Sequence, residues 1–286
     1  MPRGWPQALR HTWLLLVYLA LAGCTGGLQI DTSHTARGQD SRVQYVIVHY
    51  TSSNAERAMH TLTRGEVSSH YLINDAPATI YRLVEEDRRA WHAGDSSWQG
   101  RTWLNASSIG IEIVHPGYRD GSEGRHWYSW NQQQIDALIP LLRDILQRHG
   151  LPPERVLGHS DVAPQRKVDP GPLFPWQQLA DASVSIWPDA AQVAHYEHLL
   201  AGQTPPLTWF ETTLQRFGYS VESRAGQTDS LQNVIAAFQM RFRPARHDGL
   251  ADAQTAAILA ALVPDSFGRI SQFSGLHEST DGVTPP

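Results

Sequence analysis

The stretch Val43-Gln-Tyr-Val-Ile-Val-His49-Tyr50 constrains the fold of this chain more than any other. It is rich in β-branched residues and nearly continuous in apolar ones, so as a strand it must be covered on both faces. Ser108-Ile-Gly-Ile-Glu112-Ile-Val114 makes almost the same demand. The sequence also supplies covering helices. Residues 131–149 place Ile135, Leu138, Ile139, Leu142, Ile145 and Leu146 on one stripe, and Gly150-Leu-Pro-Pro stops it. Asn54 is placed to cap a shorter helix with Ala55, Ala58, Met59 and Leu62 on one face, closed by Gly65. Residues 69–74 and 79–84 read as two strands around an Asp75-Ala-Pro77 turn, and Val156-Leu157 as a short strand leading to Gly158-His159. Strands and helices thus interleave over residues 42–182, which predicts an α/β domain.

A chain of 286 residues leaves room for a second, smaller domain. Residues 183–206 read as a linker holding a short helical pattern from Ala190 to Leu200 and ending at Thr204-Pro-Pro206. Beyond it, residues 207–263 carry three short helical patterns, and 264–286 read as a tail. The apolar content of 41% and charged content of 18% exclude a disordered chain. A net charge of −5 gives no electrostatic reason to expect a nucleic-acid partner.

At the other end, Arg3 and Arg10 precede an apolar run from Trp13 to Ala22 that is too short to span a bilayer, the pattern of an export signal. The run closes Leu21-Ala22-Gly23-Cys24, which resembles the lipobox of bacterial lipoproteins. That resemblance implies cleavage before Cys24, lipidation of Cys24 and a membrane anchor, with residues 25–41 as a flexible tether. Thr25 after the cysteine, by the same resemblance, implies the periplasmic face of the outer membrane. Cys24 is the only cysteine, so no intrachain disulfide and no thiolate metal cluster can form.

Eight of the fourteen histidines fall between His49 and His159, which makes a metal site worth seeking. His49 ends the first strong strand. His159 opens the loop Ser160-Asp161-Val-Ala-Pro164-Gln-Arg-Lys167-Val-Asp169-Pro170-Gly-Pro172, whose prolines could hold Asp169 at a set distance from it. Two imidazoles and a carboxylate leave a fourth tetrahedral position for water, the pattern of a catalytic zinc site. Asp161 competes for the carboxylate role, Asp169-Pro170 is also a good turn former, and a lone strand-end histidine is more often structural. Residue chemistry alone leaves these readings open. Glu112 interrupts an apolar strand on the face shared by Gly110 and Val114; it either faces solvent or serves as a general base. Lys167, the only lysine in the chain, either lies on the surface or offsets a developing oxyanion.

Five blocks occur together and in order: Val46-Ile-Val-His49, Val67-Ser-Ser-His70-Tyr-Leu-Ile73, Arg89-Ala-Trp91-His92-Ala-Gly94, Ser108-Ile-Gly-Ile-Glu112, and Gly158-His159 through Pro172. Together they resemble the zinc-dependent N-acetylmuramoyl-L-alanine amidases of the type 2 family, which also includes phage T7 lysozyme-type amidases and peptidoglycan recognition proteins. With the lipobox and the C-terminal patterns, the resemblance is closest to that family's lipoprotein branch. It implies a mixed central β-sheet flanked by helices, a Zn2+ cofactor, and peptidoglycan or muropeptides as substrate. It further implies that His49, His159 and Asp169 bind zinc, that Glu112 is the base, that Lys167 is the oxyanion partner and that Asp161 is not a ligand. His70, Trp91, His92 and Asn105 would contact substrate or support the groove. The helices from residue 207 resemble a three-helix peptidoglycan-binding module; a plain helical spacer is the alternative. Two rival functions remain at this stage: a wall-binding protein without catalysis, and a metal hydrolase cutting another wall bond such as D-Ala-D-Ala.

Overall fold

The computed structural model describes residues 28–122, 124–221 and 230–266. Cys24 and the apolar run before it lie outside the described residues. Residues 28–40 carry no helix or strand. Among the described residues, every helix and strand lies in the unit that begins at Ser41.

Five strands form the central sheet in the order β3-β2-β6-β1-β9. These are β1 (Tyr45–Tyr50), β2 (Tyr71–Ile73), β3 (Ile80–Arg82), β6 (Ser108–Ile113) and β9 (Val156–Gly158). Strands β2, β6, β1 and β9 run parallel, and only the β3 edge is antiparallel, so the sheet is mixed as expected. Two small antiparallel ribbons lie outside it: β4 (Ser97–Trp98) with β5 (Arg101–Thr102), and β7 (Tyr118–Gly121) with β8 (Gly124–Trp127). Neither ribbon is legible in the sequence, because strands of two to four residues carry too little period-2 pattern.

Eight α-helices flank the sheet among the described residues. The first, α1 (Ala55–Arg64), starts where the Asn54 side chain accepts a hydrogen bond from the Arg57 N–H. The long α2 (Gln132–His149) starts with Asn131 accepting from the Gln133 N–H and ends at Gly150, at φ 64°. Pro140 lies on the solvent side of α2, where water can satisfy the carbonyl its ring deprives of a donor. Two short helices follow, α3 (His159–Val162) and α4 (Trp176–Asp181), then α5 (Ala190–Leu200), α6 (Leu207–Phe217), α7 (Ser230–Phe242) and α8 (Ala253–Leu262).

Alternation along the parallel strands divides the core into two layers. Val46, Val48, Ile109, Ile111, Ile113 and Val156 meet Ile135, Leu138, Leu142 and Ile145 of α2, together with Trp176 and Leu179 of α4. Tyr45, Ile47 and Leu157 join the other layer, where Leu200, Phe210, Phe238 and Leu259 come from α5 to α8. The helices after residue 183 therefore share a core with the sheet instead of standing off on a free linker. Helix α5 lies inside the segment expected to be a linker, and its Tyr196 and Leu200 are buried there.

Candidate metal centre

Because β6, β1 and β9 are adjacent and parallel, their C-terminal ends open on one edge of the sheet, the usual place for a site in such sheets. Register sets Glu112 beside His49, and Val48 beside Gly158, so His159 follows at the same edge. A main-chain bond from the Ser160 N–H to the Asp169 carbonyl, 2.8 Å, closes the proline-rich loop and returns Asp169 to His159.

The result is a triangle of ligand atoms. His49 Nδ1 lies 2.9 Å from His159 Nδ1 and 3.3 Å from Asp169 Oδ2, and His159 Nδ1 lies 3.0 Å from that oxygen. Tetrahedral zinc with bonds of about 2.0–2.1 Å would hold its ligand atoms roughly 3.3–3.4 Å apart, so the triangle fits a cation after a small expansion. All three residues are buried. Among the described residues they are the one group of three such side chains whose ligand atoms lie within 4.8 Å of one another. For Nδ1 of His159 to face a metal, Nε2 must hold the proton, and the Ala93 carbonyl stands 3.2 Å away to accept it.

Electrostatics bears on His49 and Asp169 in the same sense. Burial, and then the neighbouring His159, pushes His49 down to about 4, so it stays neutral. Burial alone would raise Asp169, but the two imidazoles outweigh it and hold the carboxyl well below its ordinary range. Two imidazole nitrogens and one carboxylate oxygen form the donor set of a divalent cation. Glu112 behaves oppositely: burial first, then the Asp169 charge, raises it to about 8, with Lys167 partly offsetting the shift. Its Oε2 is sealed from solvent and has no hydrogen-bond partner among the described residues. Lys167 is half-buried, and its charge reaches both His49 and Glu112.

Asp161 is turned away from the triangle. It accepts from the Gly158 N–H at 2.8 Å, the Tyr219 hydroxyl at 2.6 Å and Arg241 at 2.6 Å. Arg241 also donates to the Val156 carbonyl and lies 4.2 Å over the Trp176 ring. This buried ion pair between α7 and the His159 turn escaped sequence reasoning. Its one available signal was a charged residue between Met240 and Phe242 in an apolar helix.

Of the four residues considered for substrate contact, only Trp91 is exposed, with Arg89 stacked 4.2 Å from its ring centre. His70 is fully buried; its Nδ1 accepts from the Gly110 N–H, and its Nε2 faces the Arg88 carbonyl. Asn105 is buried and accepts from the His92 and Ala93 N–H groups. His70 and Asn105 Oδ1 therefore hold the frame of the site: main-chain N–H groups of Gly110, His92 and Ala93 occupy their acceptor atoms, and His70 Nε2 also lies beside the Arg42 guanidinium. His92 lies between this frame and His49, with its Nδ1 3.0 Å from His49 Nε2.

Residues 39–172 match the sequence profile of the N-acetylmuramoyl-L-alanine amidase family. The chain is 42% identical over 273 residues to Escherichia coli N-acetylmuramoyl-L-alanine amidase AmiD, covering 89% of this chain and 97% of that protein. It is 38% identical over 113 residues to the E. coli 1,6-anhydro-N-acetylmuramyl-L-alanine amidase AmpD, covering 40% of this chain and 56% of that one. Among solved structures, E. coli AmiD in complex with the substrate anhydro-N-acetylmuramic acid-L-Ala-D-gamma-Glu-L-Lys superposes with a TM-score of 0.78, covering 84% of this chain and 95% of that chain. AmpDh3 from Pseudomonas aeruginosa, 37% identical, also gives 0.78, covering 83% and 98%.

Proposed function

This chain belongs to the N-acetylmuramoyl-L-alanine amidase family, and from that premise we propose that it hydrolyses the amide joining the lactyl group of N-acetylmuramic acid to L-alanine, using zinc held by His49, His159 and Asp169. The reaction serves peptidoglycan turnover or recycling. When bound, zinc supplies Lewis acidity towards the amide carbonyl and makes water a stronger acid. Glu112 takes the proton from the attacking water and passes it to the amine nitrogen as the C–N bond breaks. The products are a free lactyl carboxylate and a stem peptide with a free L-alanine amine. The Lys167 ammonium offsets the negative charge that gathers on the carbonyl oxygen.

The observation that carries this reading is the place of Glu112. It stands beside His49 in the register and has a shielded oxygen without a hydrogen-bond partner among the described residues, so it is placed to exchange a proton with a water held at the triangle. Glu112→Gln is expected to bind zinc like the parent and to release stem peptide from an anhydromuropeptide at least about 100-fold more slowly. Near-parent turnover in that variant would remove Glu112 from the chemistry. Mass spectrometry of the products separates this reaction from cleavage of another wall bond, since only the amidase leaves the lactyl carboxylate with an intact stem peptide.

The lipobox supports a second part of the reading: export, lipidation of Cys24 and attachment to the periplasmic face of the outer membrane. Full-length protein made in a bacterial host should enter the detergent phase on Triton X-114 partition, and Cys24→Ser should move it to the aqueous phase. Helices α6 to α8 are read as a wall-binding element, to be measured by sedimentation with purified peptidoglycan.

A further inference from the structure

The hydrogen-bond path behind His49 fixes where its proton lies. Ser108 Oγ is 2.6 Å from the Leu104 carbonyl, which can only accept, so the hydroxyl proton is committed there. The remaining lone pairs of Oγ face His92 Nε2 at 3.2 Å, and that nitrogen must carry the N–H of the His92 ring. A neutral imidazole has one N–H, so His92 Nδ1 is an acceptor, and His49 Nε2 stands 3.0 Å from it. His49 therefore holds its proton on Nε2 and turns the Nδ1 lone pair towards His159 and Asp169.

We propose that His92 is a positioning residue: the path from the Leu104 carbonyl through Ser108 and His92 locks His49 in the one neutral tautomer that can ligate a metal through Nδ1. Neighbouring residues are arranged around that ring. Gly110 lies under it, and a Cβ there would stand 2.4 Å from His92 Cγ, so any side chain at 110 would drive the ring away. Asn105 Oδ1 accepts from the His92 and Ala93 N–H groups at 3.0 and 2.7 Å and holds the loop backbone in place. Oriented imidazole ligands with a fixed tautomer bind metal more tightly, and removing such a partner typically costs 10- to 100-fold in affinity, about the range expected here.

The tautomer assignment stands on hydrogen bonding alone; its consequence for affinity rests on the zinc reading above. Two measurements keep these apart. Histidine-selective 15N NMR on the metal-free full chain should show His49 protonated at Nε2 in the parent and in His92→Asn, whose amide oxygen can replace the Nδ1 acceptor. The preference should be lost in His92→Phe and weakened in Ser108→Ala, which keeps the ring and guards against a folding defect. Competition with a chromophoric chelator should then show zinc binding weakened about 10- to 100-fold in His92→Phe and restored to within a few-fold of the parent in His92→Asn. An unchanged Nε2–H tautomer and parent affinity in His92→Phe, or equal losses in the Phe and Asn variants, would overturn the proposal. A parent chain that shows the expected tautomers but binds no zinc would sink the zinc reading and leave the relay intact.

Discussion

Two carboxylates ten residues or fewer from His159 receive opposite fates. Asp169 Oδ2 points at both imidazoles, while Asp161 is saturated by a main-chain N–H, a phenol and a guanidinium. Asp169→Ala should abolish zinc binding measured by chelator competition. Asp161→Asn should keep the zinc ligands but lower the denaturation midpoint. A further residue-scale effect concerns pH. Burial lowers His70 to about 4 from an ordinary value near 6.5, so the unfolded chain binds more protons between those values. Its contribution to stability is complete above roughly pH 6.5 and disappears as pH falls towards 4. Glu86 acts in a lower window: burial opposes ionisation, but Arg148, Tyr71 and His149 together bring it down to about 2. Its contribution is therefore lost between about 4.5 and 2. The melting temperature of metal-free protein should decline in the first window, and a His70→Asn variant, less stable at pH 7, should show a shallower slope there.

At the scale of elements, the site is made by three strand ends and one returning loop. The strands were legible because β1 and β6 are nearly continuous apolar runs, and Glu112 was noticeable because it interrupts one of them. The four-residue α3 was not, since a single turn carries no periodicity. Helix α7 holds that turn from outside through Arg241. Replacing Arg241 by Met should leave Asp161 buried without its cation and cost about 3–5 kcal/mol in chemical denaturation. Tyr219→Phe, which removes one hydrogen bond to the same carboxylate, should cost less, about 1.5–3 kcal/mol. Equal losses from the two variants would mean that the ion pair is not the dominant tie.

Across the whole molecule, α5 to α8 complete the sheet's second layer, so the amidase sheet and the C-terminal helices should unfold together. Phe238 is fully buried in that shared layer. Phe238→Ala should lower stability by about 3–5 kcal/mol and shift one cooperative transition, read in parallel by far-UV circular dichroism and by zinc release. Two separated transitions would show that the two parts are energetically independent. Among the described residues no helix is long and apolar enough to cross a membrane.

The amino-acid sequence was enough to locate the main strands and the longer helices, the caps of α1 and α2, and the residue types that could carry metal-assisted hydrolysis. Those properties depend on neighbours a few positions away, through periodicity, side-chain caps and the cost of burying charge. The tertiary structure showed why Asp169, which family resemblance had favoured over Asp161, completes the triangle, and it alone revealed that Ser108 and His92 stand behind His49 and that Arg241 braces the His159 turn. Each of those facts joins residues brought together by the parallel order β6-β1-β9 and by packing across the sheet. Strand order and register are set by the balance of all long-range contacts at once, and no local stretch of sequence encodes that balance.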